Sequence, residues 1–326
     1  MMSKVSGRAG TVLGEVRLSA AEADSVARLV DELAVQFDRV DDPRLLRAVT
    51  GWGHRLPAAL HEQLLSMKYE ETVAGFVVRG ALPGVDPGPT PARWGAGLET
   101  VRHDLWLLLV AAQLGDPVAW SVWQGGELVN DVLPMAGEAT AQTGLGSAAE
   151  LDLHVEEALY DDRCDGLALA CLRNPDRVPT IVAATDVVDW SSLDVDMLFE
   201  PRYLIGDEES GRVRPALFGA ADSPYLRVDM PYMRALPGDA RAAAAFSGLC
   251  AQLRAGAIDV VLDAGDVLVL DNYRTVHGRR PFQPKFDGTD RWLRRCTTTR
   301  DLRATRALRG GVTSRVITPV LSKEES

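Results

Sequence analysis

Between residues 151 and 298 the chain breaks into short runs of strand length, apolar or alternating, separated by turn-rich or helical stretches. A helical bundle does not have that rhythm, so this part of the chain is expected to build sheet. The runs fall at 151–155, 166–172, 180–185, 225–228, 259–262, 267–270 and 292–298. Two helical patterns interrupt them, one at 191–199 and an alanine-rich one from 239 to about 255. Residues 206–222 are polar, glycine-containing and aperiodic, which reads as a lid or a surface loop. Short strands in a mostly antiparallel order, decorated by helices, predict an α+β fold with a mainly β core. The expected architecture is a double-stranded β-helix (jelly roll) wrapped by α-helices.

The first part of the chain reads differently. Ser19 to Glu22 has the form of a capping box, and Val26, Leu29, Val30, Leu33 and Phe37 follow at helical spacing. Asp42-Pro43 caps a second helix over 45–49, and a third runs over 57–70 with proline at its first turn. A short buried strand is expected at 75–79 and an exposed proline- and glycine-rich connection at 82–97. A helix over 98–114 then stops at Gly115-Asp116-Pro117. Residues 118–123 and 127–133 flank Gly125-Gly126, the pattern of a β-hairpin. The change from a helical part (about 17–115) to a jelly-roll core (about 118–302) needs no domain boundary, so 1–326 reads as a single domain.

A formal net charge of -11 with no compensating basic stripe argues against nucleic acid as a partner. No apolar run is long enough to cross a bilayer, and the first residues lack an apolar signal core. The four cysteines, Cys164, Cys171, Cys250 and Cys296, have no close-paired spacing. Together these features predict a cytoplasmic protein with reduced thiols.

Chemistry concentrates in a few residues. His154 and Glu156 sit two apart on an expected strand and therefore share a face. Alone, this pattern arises often by chance and reads more simply as a hydrogen-bonded histidine beside a surface glutamate. His277 follows the apolar strand at 267–270, and Arg291 begins the next one. Two imidazoles and one carboxylate form a three-ligand face that leaves positions open on iron(II), and the same set also serves catalytic zinc. Arg291 suits a carboxylate bound through both oxygens, although an ion pair with Asp287 or Asp290 would explain it too. His61 and His103 fall on expected helices as surface or capping residues. His54 lies in a turn.

Several stretches, in order, resemble the clavaminate synthase-like family of iron(II)/2-oxoglutarate oxygenases, in particular its branch acting on free L-amino acids such as arginine and asparagine. They are WQGGELVNDVLP (123–134), Gly146-Ser147, LHVE (153–156), CLRNP (171–175), DNYRTVHGR (271–279) and FDGTDRWLRR (286–295). The resemblance implies an enzyme that uses iron(II), 2-oxoglutarate and O2. It would hydroxylate an unactivated C–H bond of a free L-amino acid with a polar side chain, as in antibiotic biosynthesis.

Residue by residue, the resemblance makes His154, Glu156 and His277 the metal ligands. Arg291, helped by Thr180, becomes the binder of the distal carboxylate of 2-oxoglutarate. Arg295 would grip the substrate's α-carboxylate, Gln124 its α-amino end and Asp229 its side-chain head, with 206–222 as the lid. Three positions depart from the family: Val155 stands where threonine is common, Pro231 where arginine hydroxylases carry a second acid, and Gly144 where serine is frequent. The other readings of the same residues are a desaturase or cyclase on a similar amino acid, or a zinc-binding jelly-roll hydrolase or binding protein.

Overall fold

The computed structural model describes residues 3–5, 13–71, 73–82, 84–95 and 100–319. At the start of the chain, strands β1 (Ser3–Val5) and β2 (Leu13–Arg17) lead into helix α1 (Ala20–Gln36). The Ser19 hydroxyl accepts from the Glu22 amide, and the Glu22 carboxylate accepts from the Ser19 amide at 2.8 Å, so the expected capping box is formed. Helices α2 (Pro43–Ala48) and α3 (Ala58–Tyr69), strand β3 (Gly75–Arg79) and helix α4 (Val101–Leu114) follow. The expected start of α4 at Leu98 lies outside the described residues.

The sheet-forming part contributes β4 (Asp116–Trp120), β5 (Asn130–Val132), β6 (Leu151–His154), β7 (Gly166–Arg173) and β8 (Thr180–Ala184). After the short helix α5 (Val195–Phe199) come β9 (Tyr203–Ile205), β10 (Arg212–Arg214), β11 (Leu217–Ala220), β12 (Ser223–Leu226) and β13 (Met233–Ala235). Helix α6 (Ala240–Gly256) precedes β14 (Ile258–Val260), β15 (Val267–Asp271), β16 (Thr275–Arg279), β17 (Trp292–Thr299) and β18 (Val316–Ile317).

Two sheets face each other. The major sheet has the order β1-β2-β3-β15-β7-β17-β4-β18, with β5 also paired to β17, and the minor sheet runs β14-β8-β16-β6. Alternation along β7 sets the layers: Leu167, Leu169 and Cys171 pack between the sheets, with Leu268, Leu270, Leu293 and Val182. Ala168, Ala170 and Leu172 point the other way, onto α1 and α4. The outer face of the minor sheet, including Leu153, Val155 and Val276, is covered by α6 through Leu249 and Leu253. The jelly roll therefore borrows strands from both ends of the chain and is wrapped on both sides by helix.

Three expectations change. Residues 118–123 and 127–133 do not form a hairpin; β4 and β5 both pair with β17. The backbone between them is left-handed at Gln124, Gly125 and Gly126 (φ 43°, 71° and 82°) and closes a 3-10 turn. A Cβ on Gly126 would lie 2.9 Å from Val316, so the glycine is there for a close approach.

Residues 206–222 are not an aperiodic loop: β10 pairs with β9, and β11 pairs with β12. Leu217 is fully buried, and Arg214 grips Asp161 with two hydrogen bonds of 2.9 and 2.7 Å. His103 is buried at 3 % exposure in the first turn of α4 rather than lying at the surface. No helix of the described residues is long and apolar enough to cross a membrane.

Candidate metal centre and its pocket

The minor sheet ends in the pair β6–β16, in which His154 and His277 lie directly opposite each other. Opposed residues on antiparallel strands project to the same face, and the two imidazole centroids are 4.5 Å apart. His277 was expected beyond a strand and is instead the centre of one, β16. Residue 278 has to be glycine, because a Cβ there would come within 2.3 Å of the Leu151 carbonyl oxygen.

Beyond β6 the chain stays extended, so Val155 turns into the outer core while Glu156 returns to the histidine face. Asn272 fixes that geometry. Its side-chain oxygen accepts the Glu156 amide at 2.8 Å, and its Nδ2 donates to the carbonyls of Glu156 (3.1 Å) and Cys164 (2.8 Å).

One ligand atom each from His154, Glu156 and His277 can be chosen so that all lie within 4.8 Å of one another. That spacing fits one cation bonded to all three at the roughly 2 Å distances such ligands make. The Nδ1 of His154 is 2.9 Å from the Asp152 carbonyl, a contact that fixes this nitrogen as the N–H and leaves the Nε2 lone pair free to bind a cation. Burial and the nearby His277 push the His154 pKa down, which keeps the ring neutral. Burial would raise the Glu156 carboxyl, but the Arg295 charge and the His277 contact outweigh it and hold the group well below the carboxylate range. His154 is thus neutral, Glu156 ionised, and the three donor groups converge. The set fits iron(II) or zinc on ligand type alone.

The three ligands line a cavity of about 470 Å³, within the range that small-molecule sites occupy. Arg291 stands in its wall at 6 % exposure and donates from Nη2 to the Thr180 hydroxyl at 2.9 Å. Its Nε has no partner, and no acid of the described residues bonds it. The ion-pair reading fails: Asp290 accepts the amides of Lys285 and Phe286, and Asp287 accepts from Thr289. Burial without a carboxylate lowers the Arg291 pKa to about 10. A buried cation of this kind calls for an anion from outside the protein.

Arg295 lines the same cavity but is already engaged, donating to Glu156 at 2.8 Å and to the Asn130 side chain at 2.9 Å. Arg294, between them in sequence, faces the opposite side of β17. There it bonds Asp104 of α4 at 2.8 and 3.0 Å and also pairs with Asp131. The cluster of arginines in the sequence therefore divides by strand alternation into pocket and core.

Asp229 bridges His154 across the edge of β6 and sits in the cavity wall with Pro231 and Tyr232. Burial raises its pKa, countered in part by the neighbouring His154, and no arginine or lysine of the described residues pairs with it. Gln124 also lines the cavity, but its amide is clamped to the Asp131 backbone by two 2.8 Å bonds. One N–H and one lone pair remain for a ligand. Gly144 lies in the wall, where a Cβ would come to a tight 3.2 Å from the Val132 side chain. None of residues 206–222 forms part of the wall. Asn272 and Asn130, which position Glu156 and Arg295, were not singled out from sequence. Each lies in a stretch that carries the family resemblance, Asn130 in 123–134 and Asn272 in 271–279.

The comparisons with known proteins converge. A family model described as "Taurine catabolism dioxygenase TauD, TfdA family" matches residues 205–297. An L-ornithine/L-arginine 3-hydroxylase of Catenulispora acidiphila is 33 % identical over 337 residues, covering 92 % of this chain and 98 % of that protein. An enduracididine beta-hydroxylase of Streptomyces hygroscopicus is 36 % identical over 336 residues, covering 91 % and 96 %. The crystal structure of the non-heme iron oxygenase OrfP with Fe, succinate and (3S)-hydroxy-L-Arg superposes with a TM-score of 0.87 at 35 % identity, covering 93 % of this chain and 99 % of that one.

Proposed function

The chain belongs to the clavaminate synthase-like family of iron(II)- and 2-oxoglutarate-dependent oxygenases, and from that premise we propose which residues do its work and on what substrate. His154, Glu156 and His277 hold the iron. Arg291 and Thr180 take the distal carboxylate of 2-oxoglutarate, and Arg295, Gln124 and Asp229 receive the amino acid. Bound there, iron and 2-oxoglutarate supply the oxidising power that hydroxylates an unactivated C–H bond, with succinate and carbon dioxide as co-products.

The protein's part is placement and charge. Arg291 would anchor the cosubstrate by its distal carboxylate in the cavity that the ligand triad also lines. Glu156 serves twice, one carboxylate oxygen toward His277 at 3.3 Å and the other held by Arg295. Arg295 can therefore receive a substrate carboxylate while it keeps the ligand oriented. Asp229, buried and unpaired by any described cation, is the natural acceptor for a positively charged side-chain head. With Pro231 beside it, the head meets one carboxylate only. The substrate we infer is a free L-amino acid with a long cationic side chain of the arginine, ornithine or cyclic-guanidine kind.

The observation that carries this reading is the joint presence, in one cavity, of the three-ligand face and a buried arginine lacking any acid. A zinc hydrolase has no use for that arginine. Anaerobic iron(II) with 2-oxoglutarate should give the visible charge-transfer band of the chelate, and a panel of amino acids with O2 should yield a product one oxygen heavier by mass spectrometry. Absence of the band together with tight zinc binding would sink the reading. A product lacking two hydrogens would assign desaturation instead.

A further inference from the structure

The far end of the cavity holds a second arginine that the proposed function leaves unused. Arg279 is 3 % exposed, lies two residues along β16 from His277, and forms part of the cavity wall with Arg291 and Thr180. In the register of β16 and β8, Arg279 stands directly opposite Thr180, the residue whose hydroxyl accepts from Arg291. Opposed residues share a face, so the strand pair sets Arg279 on the same face as the Thr180 hydroxyl that Arg291, just ahead of β17, reaches with its own guanidinium. Arg279 donates through Nη1 to the Ser147 carbonyl at 2.8 Å and through Nη2 to the Ala149 carbonyl at 2.9 Å, while its buried Nε has no partner. No acid bonds it among the described residues; Glu150 is paired at the surface with Arg280.

Two buried cations side by side, each with an unpartnered Nε and neither with a carboxylate, form a costly arrangement unless something anionic joins them. We propose that Arg279 is a second cation of the distal-carboxylate subsite, so that two guanidinium groups face the far carboxylate of 2-oxoglutarate. This rests on the assignment of Arg291 to that carboxylate. In consequence the site discriminates strongly against 2-oxo acids whose far end is uncharged, because both cations would then stay uncompensated.

The test compares 2-oxoglutarate with 2-oxopentanoate, which has the same carbon chain without the distal carboxylate, in iron(II)-loaded protein under anaerobic conditions. Affinity is read from the charge-transfer absorbance, independently of turnover. Arg279→Gln should weaken 2-oxoglutarate about tenfold and 2-oxopentanoate by less than about twofold, with Arg279→Lys recovering most of the difference. Arg279→Met, unbranched and uncharged, is the second neutral variant in case the first does not fold; it gives up the stacking of the guanidinium on the Phe282 ring, whose centroid is 5.2 Å from Cζ. Equal weakening of both acids, no weakening of either, or unfolding of both neutral variants would show a backbone clamp and overturn the inference. Arg291→Gln is the separate control. If it leaves the preference for 2-oxoglutarate intact, the assignment of Arg291 fails whatever Arg279 does.

Discussion

Asp229 and Asn272 show how differently two buried polar side chains bear on one site. Asp229 lines the cavity with no cationic partner among the described residues, and the role proposed for it is to bind the substrate's head group. Asp229→Ala should raise the KM for a cationic amino acid ten- to a hundredfold, the worth of a charge-assisted hydrogen bond, and leave the KM for 2-oxoglutarate unchanged. Steady-state kinetics on both substrates checks this, and an unchanged amino-acid KM would place the head group elsewhere. Asn272 touches no ligand; it holds the backbone of Glu156 from both sides and is 1 % exposed. Asn272→Ala should lower the unfolding free energy by about 3 kcal/mol, since several buried groups lose partners at once. It should also weaken iron(II) binding, both readable by urea titration and metal titration of the same sample.

At the scale of elements, the approach of β6 to β16 is the critical dimension. Gly278→Ala would set a Cβ against the Leu151 carbonyl and force the two ligand strands apart. The expected cost is more than about 2 kcal/mol, and iron should restore less of the melting temperature than it does in the unaltered chain. Thermal unfolding with and without iron(II) decides it.

Elements were legible in the sequence where one local signal sufficed, as in the Ser19 capping box, the alternation of 166–172 and the His-x-Glu spacing. They were illegible where a local signal served a distant need. Gly125-Gly126 marks left-handed backbone, yet what that backbone accommodates is Val316, far along the chain. The polar stretch 206–222 hides its strands because β10 and β11 are edge pieces anchored by ion pairs such as Arg214–Asp161, which leave no apolar period. Arg279 carries no local signal of its own, and its place in the pocket follows from the register that sets it opposite Thr180.

For the whole molecule, acid sensitivity should arise partly far from the metal. His103 is enclosed between helix and sheet, and burial lowers its pKa from 6.5 to about 4. A depressed imidazole contributes stability that is complete above pH 6.5 and is lost as pH falls toward 4, by up to about 3 kcal/mol. His103→Leu should flatten the pH dependence of the unfolding free energy in that window, and parallel curves for both proteins would contradict it. The cross-strand pairing of His154 with His277 has a consequence for biogenesis. During synthesis His154 and Glu156 leave the ribosome long before His277, so under the proposed ligand assignment a growing chain would offer iron two ligands and could not enclose it. Only when β16 has settled between β8 and β6 does the third arrive, by which time nearly every strand of both sheets has been made. Cofactor acquisition is thereby postponed to a chain able to shield what it binds, and a truncated or misfolded product is left without its reactive metal.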